Sequence, residues 1–321
     1  MTVVPENDRK DVSAGLESSE RRVFVASDGY EHVWRCWLPS GPPRAVVVGL
    51  HGIQSHAGWY GASSVCLAAA GYAVAFLDRR GSGENAAFRG DAPHADRLVY
   101  DVVQFVEHLK RNGFDGVPIV MSAVSWGGKL AAVVAACRPD LIDGLVLLAP
   151  GLCPQVGANV LQRLALRFGD AAGSGRREVS IPLEDPALFT DVAEHQAFIR
   201  DDPLALRKVT VRFLTASLEL DRRVRRHAAS IGCPLLLMLA GRDRILDNAA
   251  TRRLVVSFGS TEKTLMEYPG ACHTLEFDRN RDAVVADLAA WLDHRLVSRR
   301  PRSTHARQTG RLTRSSQETS P

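Results

Sequence analysis

Three residues stand just after apolar runs, in an order suited to acyl transfer. Ser125 lies in "PIVMSAVSWGGKLAAVV", residues 118–134, where a strand-like run meets a helix-like one. Asp243 follows "CPLLLMLAGR" and His273 follows "LMEYPGAC". A serine hydroxyl is a weak nucleophile until a base takes its proton, and the base needs an acid to hold its tautomer. Ser125, Asp243 and His273 are therefore expected as nucleophile, orienting acid and base. Small residues at 123, 127 and 128 leave room for a sharp strand-to-helix turn at the serine. The helix start would aim unpaired N–H groups at a developing negative oxygen. The N–H of Trp126 and that of Ile53, in the loop "LHGIQSHAGWY", are the expected oxyanion donors.

Other assignments stay open at this level. Ser122 is a second serine near the turn, but a strand serine is better suited to a backbone hydrogen bond. Asp247 is an alternative acid, and Asp243 could instead cap the helix beginning near Asp247. His273 could be an ordinary loop histidine. His51 reads as a loop holder rather than a base. Gln54, Ser55 and His56 either approach substrate or pack within their loop. "DRRGSG", residues 78–83, lacks phosphate-loop spacing and reads as a tight turn with a salt bridge from Asp78 or Arg79. No cluster has metal-site spacing, and the chemistry requires neither metal nor cofactor.

The elements that must position these residues alternate. "RRVFVASDGYEHVWRCWLP" reads as a hairpin, and "RAVVVGLHG", "YAVAFLD", "VPIVM", "IDGLVLLAPG" and "CPLLLMLAG" as buried strands. Helical spacing lies between them, for example Val102, Phe105, Val106 and Leu109 in "DVVQFVEHLKR". This predicts an α/β fold, a mostly parallel sheet with helices on both faces. Residues 1–20 are expected as a flexible N-terminus, 21–151 as the first part of the core and 152–217 as a helical cap. Residues 218–296 would complete the core, and 297–321 would form a disordered basic tail. Within the cap, "NVLQRLALRF" and "DPLALRKVTVRFLTASLELDRRVRRHAASI" read as helical, and "AAGSGRREVSIPLEDPALF" between them as loop.

The cap's apolar residues have two readings. Val160, Leu161, Leu164 and Phe168 share one helical face, and Leu188, Phe189, Phe198 and Ile199 add to it. They line an acyl channel, or they pack the cap on the core.

Charge narrows the partners. The 321 residues carry a formal net charge of +4, but seven arginines and one glutamate fall from Arg295 onward. That leaves 33 basic and 35 acidic groups on the preceding 294 residues, a near-neutral body with no expected nucleic-acid surface. The six cysteines show no metal spacing and read as reduced and mostly packed. No run reaches the roughly 18 apolar residues of a membrane span, and the N-terminus lacks a signal-peptide core. A cytoplasmic protein is expected, with transient membrane or micelle contact through the cap as a further option.

The pieces "HGIQSHAGWY", "DRRGSG", "SAVSWGGK", "DPALFT", "DDPLALRKVTVRF", "AGRDRILD" and "YPGACHTLEFD" occur in order between Val23 and Leu296. Together they resemble the α/β-hydrolase superfamily, in its monoglyceride lipase and lysophospholipase branch. The resemblance implies a serine carboxylic ester hydrolase acting on a small-molecule acyl ester through Ser125, Asp243 and His273. It also implies oxyanion donors at Ile53 and Trp126, and a cap bearing an acyl pocket, here Leu164, Phe168, Phe189 and Phe198 with Gln54, Ser55 and His56 near the carbonyl. Two departures stand out. Ala123 occupies the place of the usual glycine, and "IQSH" adds polar groups beside the carbonyl pocket. Aminopeptidases, thioesterases and carbon–carbon bond hydrolases of the same fold are alternatives, as is an inactive binder of small molecules.

Overall fold

The apolar runs lie side by side at the centre of the molecule. The structure is a computed structural model that describes residues 15, 17–156, 163 and 175–298. The strands are β1 (Glu20–Val25), β2 (Glu31–Trp37), β3 (Val46–Leu50), β4 (Ala73–Leu77), β5 (Ile119–Val124), β6 (Gly144–Leu148), β7 (Glu178–Ser180), β8 (Lys208–Thr210), β9 (Leu235–Ala240) and β10 (Lys263–Tyr268). The helices are α1 (Gly61–Ala69), α2 (Ala95–Arg111), α3 (Trp126–Cys137), α4 (Ala193–Asp201), α5 (Val211–Arg226), α6 (Asn248–Val256) and α7 (Arg281–Ser298).

Eight strands form one sheet in the order β1-β2-β4-β3-β5-β6-β9-β10. The β1–β2 hairpin joins antiparallel, and β4, β3, β5, β6, β9 and β10 run parallel. β3, β4, β5 and β9 are buried at every position, which is why they read as continuous apolar runs rather than alternating ones. α1 packs with α7, while α2, α3 and α5 pack together, so both faces are covered.

Local chemistry sets the helix ends. His94 accepts the Arg97 N–H and starts α2, Asp96 sits in its first turn, and His108, Lys110 and Arg111 lie in its last, matching the helix dipole. Its buried stripe includes Leu98, Val102, Phe105, Val106 and Leu109. Thr210 caps α5 through Phe213 N–H, and Phe213, Ser217, Leu220 and Val224 form the buried face of that helix.

The insertion after β6 is not purely helical. β7 and β8 pair antiparallel, with Glu178 opposite Thr210 and Ser180 opposite Lys208, forming a two-stranded ribbon. The helical spacing expected from residue 202 onward therefore begins at α5, and the expected loop contains β7. The stretch 159–168, with Leu164 and Phe168, lies outside the described residues apart from Arg163, as do residues 1–14 and 299–321. Cys36, Cys153 and Cys272 are buried, Cys66 and Cys137 are exposed, and none of the six forms a disulfide.

Candidate active site

Ser125 follows β5 as the N-cap of α3, with φ 51° and ψ −122°, a backbone conformation an L-residue adopts only at a cost of roughly 1–3 kcal/mol. The surroundings impose it. Ser125 N–H donates to Leu148 O at 3.0 Å, and Ser125 O accepts from Gly128 N at 2.9 Å and Gly151 N at 2.6 Å. Gly127 is required by packing, since a Cβ there would stand 2.6 Å from Leu50 O and 2.8 Å from His51 O. Ala123 fits without exposure, between its sheet partners Leu50 and Leu147, so the extra methyl is absorbed in the strand. Ser122 faces the α1–α7 side and lines a small cavity with Tyr60, Phe76 and Glu276.

His273 Nε2 lies 2.9 Å from Ser125 Oγ, and His273 Nδ1 lies 2.7 Å from Asp243 Oδ2. Asp243 Oδ1 accepts the Ile245 and Leu246 N–H groups at 2.8 and 3.0 Å, which fixes the carboxylate. Its side chain is fully buried. Asp247 instead caps α6 by accepting Ala250 N–H. In this arrangement Nδ1–H donates to Asp243, leaving Nε2 to accept the Ser125 proton.

The Ile53 loop is held from beneath. His51 Nδ1 lies 2.8 Å from Gly52 O, and Nε2 accepts Arg79 N–H at 2.9 Å. Burial, reinforced by Arg79, pushes His51 well below its ordinary pKa of 6.5 and keeps it neutral. Arg79, expected only in a turn salt bridge, instead holds the Ile53 loop. Its guanidinium donates to Ile53 O at 3.0 Å and lies 4.8 Å from both the Trp126 and Phe213 rings. Burial lowers its pKa to about 9. The ion pair expected from Asp78 or Arg79 belongs to their neighbour: Arg80 pairs with Asp101 and Asp28. Asp78 takes the Ala57 and Glu84 N–H groups, because a carboxylate at a tight turn satisfies free backbone donors.

A cavity of about 620 Å³ opens onto Ser125, Ile53 and Trp126. Its apolar wall includes Val179, Ile181, Val209, Leu214, Leu218 and Ile245, so the ribbon, α5 and the loop after β9 build it. Lys129, Ser217 and Asp221 add a polar stretch, and Arg163 and Arg177 also line it.

The expected substrate contacts are distributed elsewhere. Phe189 and Phe198 each meet Trp59 edge-on, and Phe198 also meets Phe277 edge-on. Phe189 also meets the His273 ring at 6.0 Å, and Phe189 O accepts Thr274 N–H at 2.9 Å, so this part of the cap braces the histidine loop. His56 lies 3.1 Å from Asp202 and caps the short turn Ala57–Tyr60. Ser55 Oγ accepts Gly52 N–H and contacts Tyr60 Oη. Gln54 is buried, with both amide atoms unpartnered among the described residues. None of these five residues lines the 620 Å³ cavity.

Comparison with known proteins gives the same picture of the fold. A family model described as "Serine aminopeptidase, S33" matches residues 41–280. Monoglyceride lipase of Mus musculus is 28% identical over 279 residues, covering 86% of this chain and 91% of its own. Monoacylglycerol lipase of Mycolicibacterium smegmatis is 28% identical over 273 residues, covering 84% and 95%. A soluble variant of monoglyceride lipase from Saccharomyces cerevisiae, solved with a substrate analog, superposes with a TM-score of 0.77 at 21% identity, covering 87% of this chain and 96% of that one. With the family model spanning most of the chain, the protein belongs to the serine aminopeptidase S33 family of α/β-hydrolases and is a serine hydrolase.

Proposed function

We propose that the protein hydrolyses carboxylic esters of medium or long acyl chains with a small polar alcohol, such as a monoacylglycerol or lysophospholipid. Ser125 Oγ attacks the ester carbonyl as His273 Nε2 takes its proton, and Asp243 holds the imidazole. The tetrahedral oxygen is received by the N–H groups of Ile53 and Trp126, neither of which is used in a hydrogen bond among the described residues. His273 then protonates the departing alcohol, and water releases the acyl group from Ser125 by the same route reversed. The observation that carries this reading is the unbroken contact chain from Ser125 through His273 to Asp243, at 2.9 and 2.7 Å.

In this reading residues 152–217 act as a cap, and the cavity they share with the core takes the acyl chain. Each methylene buried there contributes about 0.8 kcal/mol. The cavity lining carries Lys129, Arg163 and Arg177 against Asp221, a poor environment for the free ammonium of an aminopeptidase substrate. The large apolar side chains exposed among the described residues, such as Phe88, Tyr100 and Val256, lie on the core.

A hydrolysis panel tests the proposal: p-nitrophenyl esters from acetate to palmitate, monoacylglycerols, acyl thioesters and aminoacyl amides. kcat/KM is expected to climb several-fold per added pair of methylenes until the cavity is full. A maximum at acetate, or aminoacyl-amide turnover exceeding ester turnover, would refute it.

A further inference from the structure

The cavity that would take the acyl chain contains a group that a plain hydrocarbon does not need. Lys129 lies four residues beyond Ser125, one turn into α3, and is 4% exposed. Its Nζ stands 2.6 Å from Asp221 Oδ1 and 3.4 Å from Ser217 Oγ, both on α5. Ser217 Oγ also accepts the Trp126 indole N–H at 2.9 Å, which fixes its position. The Lys129–Asp221 contact is close in distance but off the hydrogen-bonding direction, and Asp221 Oδ1 is left without a well-directed donor.

An ammonium has three N–H donors. Lys129 finds two partners among the described residues, the one distant and the other poorly aligned, while it lines a cavity large enough for a ligand. An ion pair with Lys129 buried and Asp221 half-buried contributes little to stability, so it is weakly explained as a structural feature. An alkyl chain laid against it would remove any water there and return no hydrogen bond, which is unfavourable. An oxygen on the chain would supply the missing acceptor. Lys129 and Asp221 balance each other in charge, so a neutral oxygen suffices as the acceptor at this point of a lining that also carries Arg163 and Arg177.

We propose that the acyl group of the natural substrate carries a neutral oxygen substituent, a hydroxyl or a ketone, that accepts a hydrogen bond from Lys129 in the cavity beside Ser125. This rests on the ester-hydrolase reading for the identity of the bound group. The position of Lys129, one helical turn or roughly 6 Å along α3 from the serine, places that oxygen within the first several carbons of the chain.

Binding separates this proposal from the catalytic one. Calorimetry with the Ser125→Ala protein would compare methyl octanoate with a series of methyl hydroxyoctanoates and oxooctanoates in which the oxygen moves along the chain. At least one oxygenated ester is expected to bind about tenfold tighter than methyl octanoate. That preference should vanish when Lys129→Met is added. The double change Lys129→Met with Asp221→Leu, which leaves no unpaired charge behind, should remove it too and keep the protein folded. Equal or weaker binding of every oxygenated ester, a preference that survives without Lys129, or no binding of any ester would overturn the proposal. Failure of the wild type to hydrolyse esters that the Ser125→Ala protein binds would instead count against the ester-hydrolase reading.

Discussion

Replacing Asp243 by Asn tests the site through a single atom. Asp243 Oδ1 holds two backbone N–H groups, from Ile245 and Leu246, while Oδ2 faces His273 Nδ1 at 2.7 Å. An asparagine keeps its carbonyl oxygen toward the two N–H donors, because turning round would leave both unpaired at a cost of about 1–3 kcal/mol each. Its NH₂ group then points at Nδ1 and donates to it. The imidazole is driven to the Nε2–H tautomer, which cannot accept the Ser125 proton. In another serine hydrolase family the same substitution lowers kcat about 10⁴-fold, or roughly 5.5 kcal/mol of transition-state stabilisation. A loss of that order is expected here with little change in KM, measured on a p-nitrophenyl ester after checking the fold by circular dichroism. Asp247→Ala is the control. It removes the α6 cap and should cost about 1 kcal/mol of stability with kcat unchanged. A kcat within tenfold of wild type for Asp243→Asn, or a larger loss for Asp247→Ala, would refute the reasoning.

Other perturbations have equally definite outcomes. Gly127→Ala pushes a methyl against Leu50 O and His51 O, and should lower stability by about 2 kcal/mol in denaturant titration while displacing the Ile53 loop and reducing kcat. Arg79→Met removes the donor to Ile53 O and should lower kcat about tenfold with KM nearly unchanged; a change confined to KM would contradict its role in holding that loop. Glu276 is buried, and burial raises its pKa from 4.5 to about 7, with Ser63 N–H bonded to its Oε1. The folded state therefore holds this proton longer than the unfolded chain, so the group's contribution is present below pH 4.5 and is lost as pH rises through 7. Glu276→Gln, which keeps the acceptor for Ser63, should remove a decline of about 3 kcal/mol between those limits, seen as a flatter dependence of Tm on pH. An unchanged Tm profile would show that Glu276 does not titrate in this range.

The sheet and the turn at Ser125 were legible because their causes are local. Strands buried on both faces must be apolar at consecutive positions, as "VVVGL" and "LLLMLA" are, and a crowded turn must carry small residues, as 123, 127 and 128 do. The structure brings together Ser125, Asp243 and His273, the residues that stood at three separate strand ends. The cavity was not legible. β7 and β8 are three residues each and pair across nearly thirty positions, so neither has a periodicity of its own. The ribbon nonetheless supplies Val179, Ser180 and Val209 to the cavity wall. Phe189 and Phe198 show the converse limit, since the sequence reveals that a side chain is apolar but not what it meets, and they meet Trp59. Arg79 was hidden because its partner is a backbone carbonyl, which no residue type announces.

The measurement that bears most directly on the central claim is labelling by a fluorophosphonate, followed by mass spectrometry of the intact protein and its peptides. One covalent adduct is expected, located on Ser125, absent from Ser125→Ala and strongly slowed in His273→Ala. An adduct on Ser122 or elsewhere, or labelling that persists at the wild-type rate in Ser125→Ala, would contradict it.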